Sequence, residues 1–272
     1  MIAHLINTDV GNRGVLRLYL EYRRERPDFL IRAARLLLNN NERVLLVTGF
    51  PIPPAMRAET DGPPGALALY RAVERFGGTA EILTYPEVRE ALRPFRVRFA
   101  EKPEVSEYSL VVAIETPGRA ADGKYYSMGG MEITRETFDR VVLEARELGV
   151  PTIGIGDGGN EAGMGKIKEL VERYVPLGRK IASVVETDEL VLSAVSNWGA
   201  YGLVAQLSME LEENLLEGWD EKAVVRAMSE AGLIDGISKD RTSTVDGIGL
   251  GVHEGIVGLL KEIVDERLQV VR

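Results

Sequence analysis

The sequence predicts an α/β fold with three layers, in which a mainly parallel sheet carries helices on both faces and the carboxyl-terminal third is rich in helix. Short apolar runs alternate with helical patterns along residues 41–190, in units of about 30 residues. After residue 190 the pattern becomes helical. Such alternation is typical of parallel sheets, because each crossover between parallel strands places a helix on one face.

Five apolar runs have the length and composition of buried strands. "RVLLVTGF" (43–50) is rich in β-branched residues and runs into a glycine, and "TAEILTY" (79–85) follows it. "SLVVAIE" (109–115) is apolar between its ends, while "VPTIGIG" (150–156) and "KIASVVE" (180–186) complete the set. Near-continuous apolar runs of this kind favour strands that are buried on both faces of a parallel sheet.

The segments between and after these runs have helical spacing. Pro27 suits the break between two amino-terminal helices, Pro64 suits a helix start, and Gly77 closes the helix that follows. We predict helices over 15–24, 28–39, 65–77, 86–95, 134–148, 166–174, 199–217, 220–231 and 252–268. Because no repeat or low-complexity linker interrupts the pattern, we expect one domain over 1–272, with amino-terminal helices (1–40), strand–helix units (41–190) and a helical part (191–272).

Composition limits the classes of function. Lys and Arg total 33 against 42 Asp and Glu, a formal net charge of −9, which argues against nucleic acid as the main partner. The chain has no cysteine and two histidines, which excludes thiolate sites and argues against histidine-rich zinc sites. No apolar run approaches the ~20 residues needed to span a bilayer, and no signal-peptide pattern is present. We therefore expect a cytoplasmic protein that binds neither membrane nor nucleic acid.

Three long loops follow predicted strands and are rich in glycine, proline and acidic residues. They cover 49–65, 115–134 and 156–165. In an open parallel sheet, ligands bind beyond the carboxyl ends of the strands, where these loops would meet. Loops of this length are uncommon unless they build a site. The sequence therefore predicts a ligand site at this edge.

The third loop contains a G-x-G-x-x-G pattern at 154–159, and Glu186 stands where a dinucleotide fold needs an acid. A nucleotide- or dinucleotide-binding module without catalysis is therefore an alternative. Asp157 argues against it, because its carboxylate would face a pyrophosphate, and the helix starts late, near Gly165. A P-loop is excluded because Ile167 stands where serine or threonine is needed. We expect no nicotinamide cofactor.

The same loop has the chemistry of a metal and anion site. Asp157 and Glu161 offer hard oxygen ligands that suit Mg²⁺ or Mn²⁺ better than zinc. Backbone N–H groups near a helix start would bind an anion. The candidate substrate-binding residues here are Gly156, Gly158, Gly159 and Asn160. The alternative is purely structural, with the glycines making a turn and the acids capping the helix.

Acidic residues in the other two loops extend this site. Glu59 and Asp61 are spaced to share one metal ion or one substrate group, and the alternative is that they only add charge to an exposed loop. Glu115 ends a buried strand, where a charge is costly unless something pairs with it. The nearby cations are Arg57, Arg119 and Lys124, each of which is also plausible as a surface charge.

Two later segments supply weaker candidates. In "SNWGAYG" (196–202), Ser196 or Asn197 would cap the long helix, and Asn197 could instead direct its amide at a ligand. Asp235 and Asp246 precede glycines, a pairing that usually marks a turn, so they are secondary candidates.

With these segments assembled, the chain resembles the carboxyl-terminal domain of D-glutamate cyclase. The segments that carry the resemblance are "ETDGPPGA" (59–66), "GIGDGGNEAGMG" (154–165), "SNWGAYG" (196–202) and "VDG" (245–247). The resemblance covers about residues 40 to 250. In animals that domain follows a separate amino-terminal domain. The resemblance implies a carbon–oxygen hydro-lyase that dehydrates D-glutamate, or a related acidic amino acid, to 5-oxo-D-proline.

That reaction would assign roles to the candidates. A divalent ion on Asp157, Glu161 and Glu59 would polarise the γ-carboxyl group, and Glu115 or Asp61 would accept the ammonium proton. The glycine N–H groups, with Arg57 or Arg119, would hold the α-carboxylate. A third hypothesis is an assembly scaffold whose loops form an interface, and we expect a homodimer through the carboxyl-terminal helices.

Overall fold

The computed structural model describes residues 1–271, in which five parallel strands form a central sheet and two short antiparallel hairpins lie outside it. The strands are β1 (Arg43–Thr48), β2 (Pro51–Ile52), β3 (Arg57–Ala58), β4 (Thr79–Leu83), β5 (Leu110–Ile114), β6 (Thr152–Gly156), β7 (Glu189–Leu192), β8 (Thr244–Val245) and β9 (Ile248–Gly249). The order in the central sheet is β4-β1-β5-β6-β7, and the hairpins pair β2 with β3 and β8 with β9.

Helices surround the sheet and make up most of the carboxyl-terminal third. They are α1 (Ile2–Leu5), α2 (Val15–Glu25), α3 (Phe29–Asn39), α4 (Pro63–Arg75), α5 (Pro86–Leu92), α6 (Asp139–Leu148), α7 (Lys168–Tyr174), α8 (Gly178–Ile181), α9 (Ser196–Leu211), α10 (Glu221–Glu230) and α11 (Leu250–Val271). Each predicted helix overlaps an observed one, and α4 starts at its proline pair, as Pro64 indicated. The α/β fold class is therefore confirmed.

The strand order places a crevice at the middle of the sheet. From β1 the chain crosses to β4 on one side and then to β5 on the other. The loops that leave β1 and β5 therefore diverge to opposite faces, and a crevice opens between them at the carboxyl ends of the strands. All five residues of β5, between β1 and β6, are buried. The fold thus provides a ligand crevice where the sequence predicted one.

The predicted fifth strand at 180–186 is wrong. Residues 178–181 form α8, and the fifth strand is β7, which begins three residues after the predicted one ends. The stretch between them pairs with the glycine-rich loop after β6: Val185 accepts the backbone N–H groups of Gly163 and Gly165, and Ser183 donates to Gly159. The apolar residues of 182–185 therefore lie against the glycine-rich loop after β6 and do not form a strand of the sheet.

The two faces of the sheet bury separate apolar layers. One layer packs α3, α4 and α9 against the sheet, with α11 on the outer side of α9 and with Trp198 and Tyr201 of α9 fully buried. The other layer packs Val141, Val142 and Ala145 of α6 against the opposite face. The indole N–H of Trp198 also donates to His253 Nδ1 at 2.8 Å, which ties α9 to α11. No helix in the described part of the chain has both the length and the apolar character to cross a membrane.

A buried acid, Glu221, lies at the start of α10. Its Oε2 accepts the Tyr201 hydroxyl at 2.7 Å and the Trp219 indole N–H at 2.9 Å, while Oε1 has no hydrogen-bond partner among the described residues. Burial raises the pKa of Glu221 to about 7 from 4.5, against these two donors. The folded state therefore holds a proton on Glu221 that the unfolded chain has lost between these pH values.

We expect Glu221→Gln to remove this part of the pH dependence of stability. Because the folded-state pKa is raised, the contribution is fully present below pH 4.5 and is lost as pH rises through 7. Relative to wild type, the variant should therefore gain about 3 kcal/mol in free energy of unfolding between pH 4.5 and pH 8. Urea unfolding at both pH values measures the difference. A constant offset between the variants across this range would contradict the expectation.

Candidate active site

The carboxyl edge of the sheet carries a concentration of buried acid. Six buried carboxylates meet there, belonging to Glu59, Asp61, Glu115, Asp157, Glu161 and Asp246. All of them except Asp61 line a cavity of ≈ 260 Å³, which is many times the space that one water needs. The loops after β1, β5 and β6 supply five of the six, and the turn between β8 and β9 supplies Asp246. The three loops that the sequence singled out thus meet at one cavity.

The glycine-rich loop after β6 binds its own carboxylate. Glu161 Oε1 accepts the backbone N–H groups of Asp157 at 3.2 Å and Gly158 at 2.7 Å, and Oε2 accepts that of Gly159 at 2.7 Å. Gly159 has φ of +113°, which a side chain would strain. These N–H donors, expected to bind a substrate anion, are therefore already engaged. They are not free for a pyrophosphate either, which weakens the dinucleotide alternative.

Two further candidate residues of this loop, Asn160 and Gly156, make contacts within the protein. Asn160 lines the cavity, and its amide nitrogen donates to the carbonyl of Tyr126 at 2.7 Å. Gly156 is the last residue of β6 and pairs with Leu192 of β7. A Cβ atom at Gly156 would lie 3.2 Å from the Cβ of Glu161, so the missing side chain leaves room for the folded-back glutamate.

Asp61 and Asn197 cap each other's helices. The Asp61 carboxylate accepts the backbone N–H groups of Ser196 and Asn197, both at 2.8 Å, at the start of α9. In return, Asn197 Oδ1 accepts the N–H groups of Gly62 at 3.0 Å and Gly65 at 2.8 Å, at the start of α4. The cap of α9 is therefore Asp61 and not Ser196 or Asn197. The Asn197 nitrogen donates to the Thr60 carbonyl at 3.1 Å, so its amide is used within the protein.

Glu115 is held in a strained backbone conformation at the centre of the site. Its φ is +42°, a region that residues other than glycine occupy rarely and mostly at functional positions. The hydroxyl of Ser196 donates to its Oε2 at 2.5 Å. A Cβ atom at Gly62 would lie 2.7 Å from the Glu115 Cβ, so only glycine leaves space for this approach. The fold therefore fixes Glu115 with its carboxylate lining the cavity.

Arg13, which sequence reasoning did not identify, is the cation inside the cluster. Its Nη1 lies 3.0 Å from Asp157 Oδ2 and also contacts Asp246 Oδ2, and its Nη2 donates to Asp157 Oδ1 at 3.4 Å. Burial works to lower the pKa of Arg13, but Asp157 and Asp246 outweigh it and raise that pKa. The guanidinium therefore stays charged. Among the described residues that line the cavity, Lys239 at the exposed mouth is the other cation.

Asp246 reaches the cluster from a tight turn that Asp235 braces. Asp246 and Gly247 have φ of +54° and +71° between β8 and β9, as an Asp-Gly hairpin turn requires. Asp235 Oδ2 accepts the Gly247 N–H at 2.8 Å and the Thr244 hydroxyl at 2.7 Å. Burial would raise the pKa of Asp235, but donors from Ser238, Thr244 and Gly247 outweigh it and lower that pKa. Asp235 is thus an ionised brace, while Asp246 belongs to the site.

The carboxylates repel one another in a dry environment. Burial, with the charges of Glu161 and Asp157, raises the pKa of Glu115 well above its usual range. Burial also raises the pKa of Asp157, although Arg13 opposes this, and it raises that of Glu59 together with Asp246. For Asp61, burial and Asp246 raise the pKa to about 8 against the backbone donors. The single positive charge of Arg13 therefore does not neutralise the cluster. Bound protons or further cations are needed to balance the remaining negative charge.

Two groups of carboxylates have the spacing of a metal site. Oxygens of Asp61, Asp157 and Asp246, here the Asp246 triad, lie within 4.8 Å of one another. Oxygens of Glu115, Asp157 and Glu161, here the Glu115 triad, do the same. Asp157 belongs to both. Glu59, predicted as a ligand, lies outside both triads, but its carboxylate faces the cavity and has no hydrogen bond or ion pair among the described residues.

The predicted cations lie elsewhere. Arg57 donates from Nε to the Gly232 carbonyl at 2.8 Å, and Arg119 forms a two-point ion pair with Asp139 at 2.7 and 3.1 Å. Neither lines the acidic cavity, and Arg119 lines a separate open groove. Lys124 pairs with Glu132 at 2.8 Å. Spacing along the chain placed these residues near the acids, but each side chain binds a partner outside the cluster.

Comparison with known proteins identifies the family of this chain. The family described as D-glutamate cyclase-like, C-terminal, matches residues 2–261, well beyond the expected span of about 40 to 250. The human protein named D-glutamate cyclase, mitochondrial, is 37% identical over 244 residues, which cover 76% of this chain and 38% of that protein. The chain thus spans well under half of the relative's length, and its cytoplasmic location stays a prediction. The chain belongs to the D-glutamate cyclase-like carboxyl-terminal family.

Proposed function

We propose that the acidic cavity dehydrates D-glutamate, or a closely related acidic amino acid, to 5-oxo-D-proline as a carbon–oxygen hydro-lyase. The observation that carries the proposal is a cluster of six buried carboxylates, five of which line a small cavity at the carboxyl edge of the sheet. Strained and charge-repelling groups of this kind are retained mainly at functional sites. The name of the human relative suggests the reaction.

The reaction joins the substrate's amine to its own γ-carboxyl carbon. A C–N bond forms, one C–O bond breaks, and the two protons released by the nitrogen leave with the oxygen as water. Because both groups belong to one molecule, holding it in a bent conformation supplies much of the rate. The site must also take a proton from the ammonium group and offset the charge of the γ-carboxylate.

Glu115 is the residue best placed to move these protons. It lines the cavity, Ser196 fixes one of its oxygens, and its raised pKa makes it a stronger base than an ordinary carboxylate. We assign it to take the ammonium proton and to protonate the departing oxygen. Asp61, the other candidate for this task, has both oxygens engaged by backbone N–H groups, so we assign it a positioning role.

The carboxylates also fit a divalent cation. Every donor is an oxygen, both triads have the required spacing, and the buried Glu59 carboxylate lacks a partner within the described chain. Such a donor set suits Mg²⁺ or Mn²⁺. The Asp246 triad or the Glu115 triad would hold the ion, with Asp157 common to both. When bound, the ion would supply Lewis-acid polarisation of the γ-carboxyl group.

A direct assay tests the proposal. Purified protein incubated with D-glutamate and Mn²⁺ or Mg²⁺ should form 5-oxoproline, detected by chiral chromatography, and chelation should abolish the product. D-Aspartate is the chemical control, since the same closure would require a strained four-membered ring. L-Glutamate tests stereochemistry. Absence of 5-oxoproline with either metal, at enzyme concentrations that give good sensitivity, would overturn the proposed reaction.

A further inference from the structure

We propose that Arg13 is a built-in counterion that changes partners, an inference that rests on the proposed function. It neutralises Asp157 and Asp246 when the cavity holds no divalent cation. When a divalent cation binds Asp157 and Asp246, the guanidinium is released and binds a carboxylate of the acidic substrate. Arg13 would thus couple occupation of the metal site to recognition of the substrate class.

The backbone of Arg13 is anchored while its side chain reaches inward. Arg13 lies between α1 and α2, where Asp9 accepts the backbone N–H groups of Arg13 and Gly14, both at 2.8 Å. Gly14 has φ of +88° immediately before α2, which turns the loop toward the sheet edge. The Arg13 side chain is 19% exposed. A fixed backbone with a long side chain at the cavity wall allows the guanidinium to move without refolding the loop.

The present partners of Arg13 are the atoms that a cation would need. Nη1 contacts one oxygen of Asp157 and one of Asp246, and both residues belong to the Asp246 triad. Two cations that share these oxygens in a buried site would repel each other strongly. A divalent ion on the triad therefore requires Arg13 to move. The Glu59 side chain adds a further carboxylate to the same cavity, and that carboxylate has no ion pair among the described residues.

The released side chain would suit an acidic substrate. A guanidinium presents paired N–H donors that match both oxygens of a carboxylate, which a lysine ammonium does not. Arg13 lines the cavity, whereas Arg57 and Arg119 do not, so it is the inner cation available to a dicarboxylate. Without Arg13, the carboxylates that line the cavity would repel an anionic substrate. The expected ligand class is therefore an amino acid that carries a second carboxylate.

Mn²⁺ titration of the substrate-free protein tests the exchange without relying on turnover. We expect Arg13→Gln to bind Mn²⁺ about tenfold more tightly than wild type by electron paramagnetic resonance, and Arg13→Lys to lie between them. Arg17→Gln is the matched control, because it removes the same charge from an exposed position on α2. Equal Mn²⁺ affinity in Arg13→Gln and Arg17→Gln would overturn the counterion role.

Kinetics and chemical modification test whether Arg13 binds the substrate. At saturating Mn²⁺, KM for D-glutamate should rise about tenfold or more in Arg13→Lys, with a smaller change in kcat. In wild type, Mn²⁺ should increase modification of Arg13 by phenylglyoxal, mapped by mass spectrometry, and D-glutamate should then protect it. Unchanged KM, or Mn²⁺ that leaves the modification rate unchanged, would contradict the exchange. If wild type makes no 5-oxoproline, the proposed reaction fails, while the titration and modification still decide the role of Arg13.

Discussion

Asp157→Asn is expected to lower the rate of 5-oxoproline formation on the order of 10³-fold or more, with the fold intact. Asp157 belongs to both oxygen triads and pairs with Arg13, so one substitution weakens either position of a cation. Asparagine keeps the shape of the side chain and removes one buried charge. Since the Asp157 charge helps to raise the pKa of Glu115, the substitution also relieves repulsion in the folded state. Turnover with D-glutamate and thermal unfolding together measure both effects.

Two comparisons make this prediction specific. Asp28→Asn is the same chemical change at an exposed position and should leave turnover unchanged. Mn²⁺ binding to Asp157→Asn should fall as well, because the shared ligand is weakened. Turnover that survives in this variant would remove Asp157 from the centre of the mechanism. Loss of turnover with a collapsed melting temperature would instead identify a structural role.

The sequence predicted where the site lies better than what its parts do. Parallel strands must deliver their following loops to one edge, so the loops that carry Glu59, Glu115 and Asp157 could be expected to meet. The glycines after β6 were interpreted as donors for a substrate. Whether backbone N–H groups bind a ligand or a nearby side chain depends on how the loop folds, and here Glu161 occupies them. Composition and spacing do not distinguish these outcomes.

Arg13 could not be found from local pattern. It lies outside the three loops that follow the strands, in the short connection between α1 and α2, and it is 144 residues from Asp157 along the chain. Its position depends on the packing of α2 against α7, which no periodicity specifies. Asp246 carried a weak signal, because an Asp-Gly pair indicates a hairpin turn but not the surface that the turn faces.

The misplaced fifth strand has a related cause. "KIASVVE" and "ELVL" are both short and mainly apolar, and the second begins three residues after the first ends. Asp188, just before β7, accepts the backbone N–H of Thr152 at the start of β6, which sets the register of the true strand. The earlier run instead bonds to the loop after β6. Competition between two such runs is decided by long-range pairing, which single-sequence patterns do not contain.

Asn197→Ala should have the largest effect on stability among the substitutions considered. It removes the acceptor for the N–H groups of Gly62 and Gly65 and the donor to the Thr60 carbonyl, all in a buried region. Each unsatisfied buried group costs about 1–3 kcal/mol, partly recovered by relaxation. We expect a loss of about 3–4 kcal/mol in free energy of unfolding, and a melting temperature lower by about 10 °C. Urea and thermal unfolding measure these changes.

Asp61 and Asn197 cap each other's helices, so a control variant and a double-mutant cycle can test the pair. Asn39→Ala, at an exposed position of α3, is the matched control and should change stability by less than about 0.5 kcal/mol. Because Asp61 caps α9 while Asn197 caps α4, Asp61→Asn and Asn197→Ala should be strongly non-additive in a double-mutant cycle. Additive losses would mean that the two helix starts are held independently. Strong coupling would show that one buried pair fixes both helices, and with them the carboxylates that line the cavity.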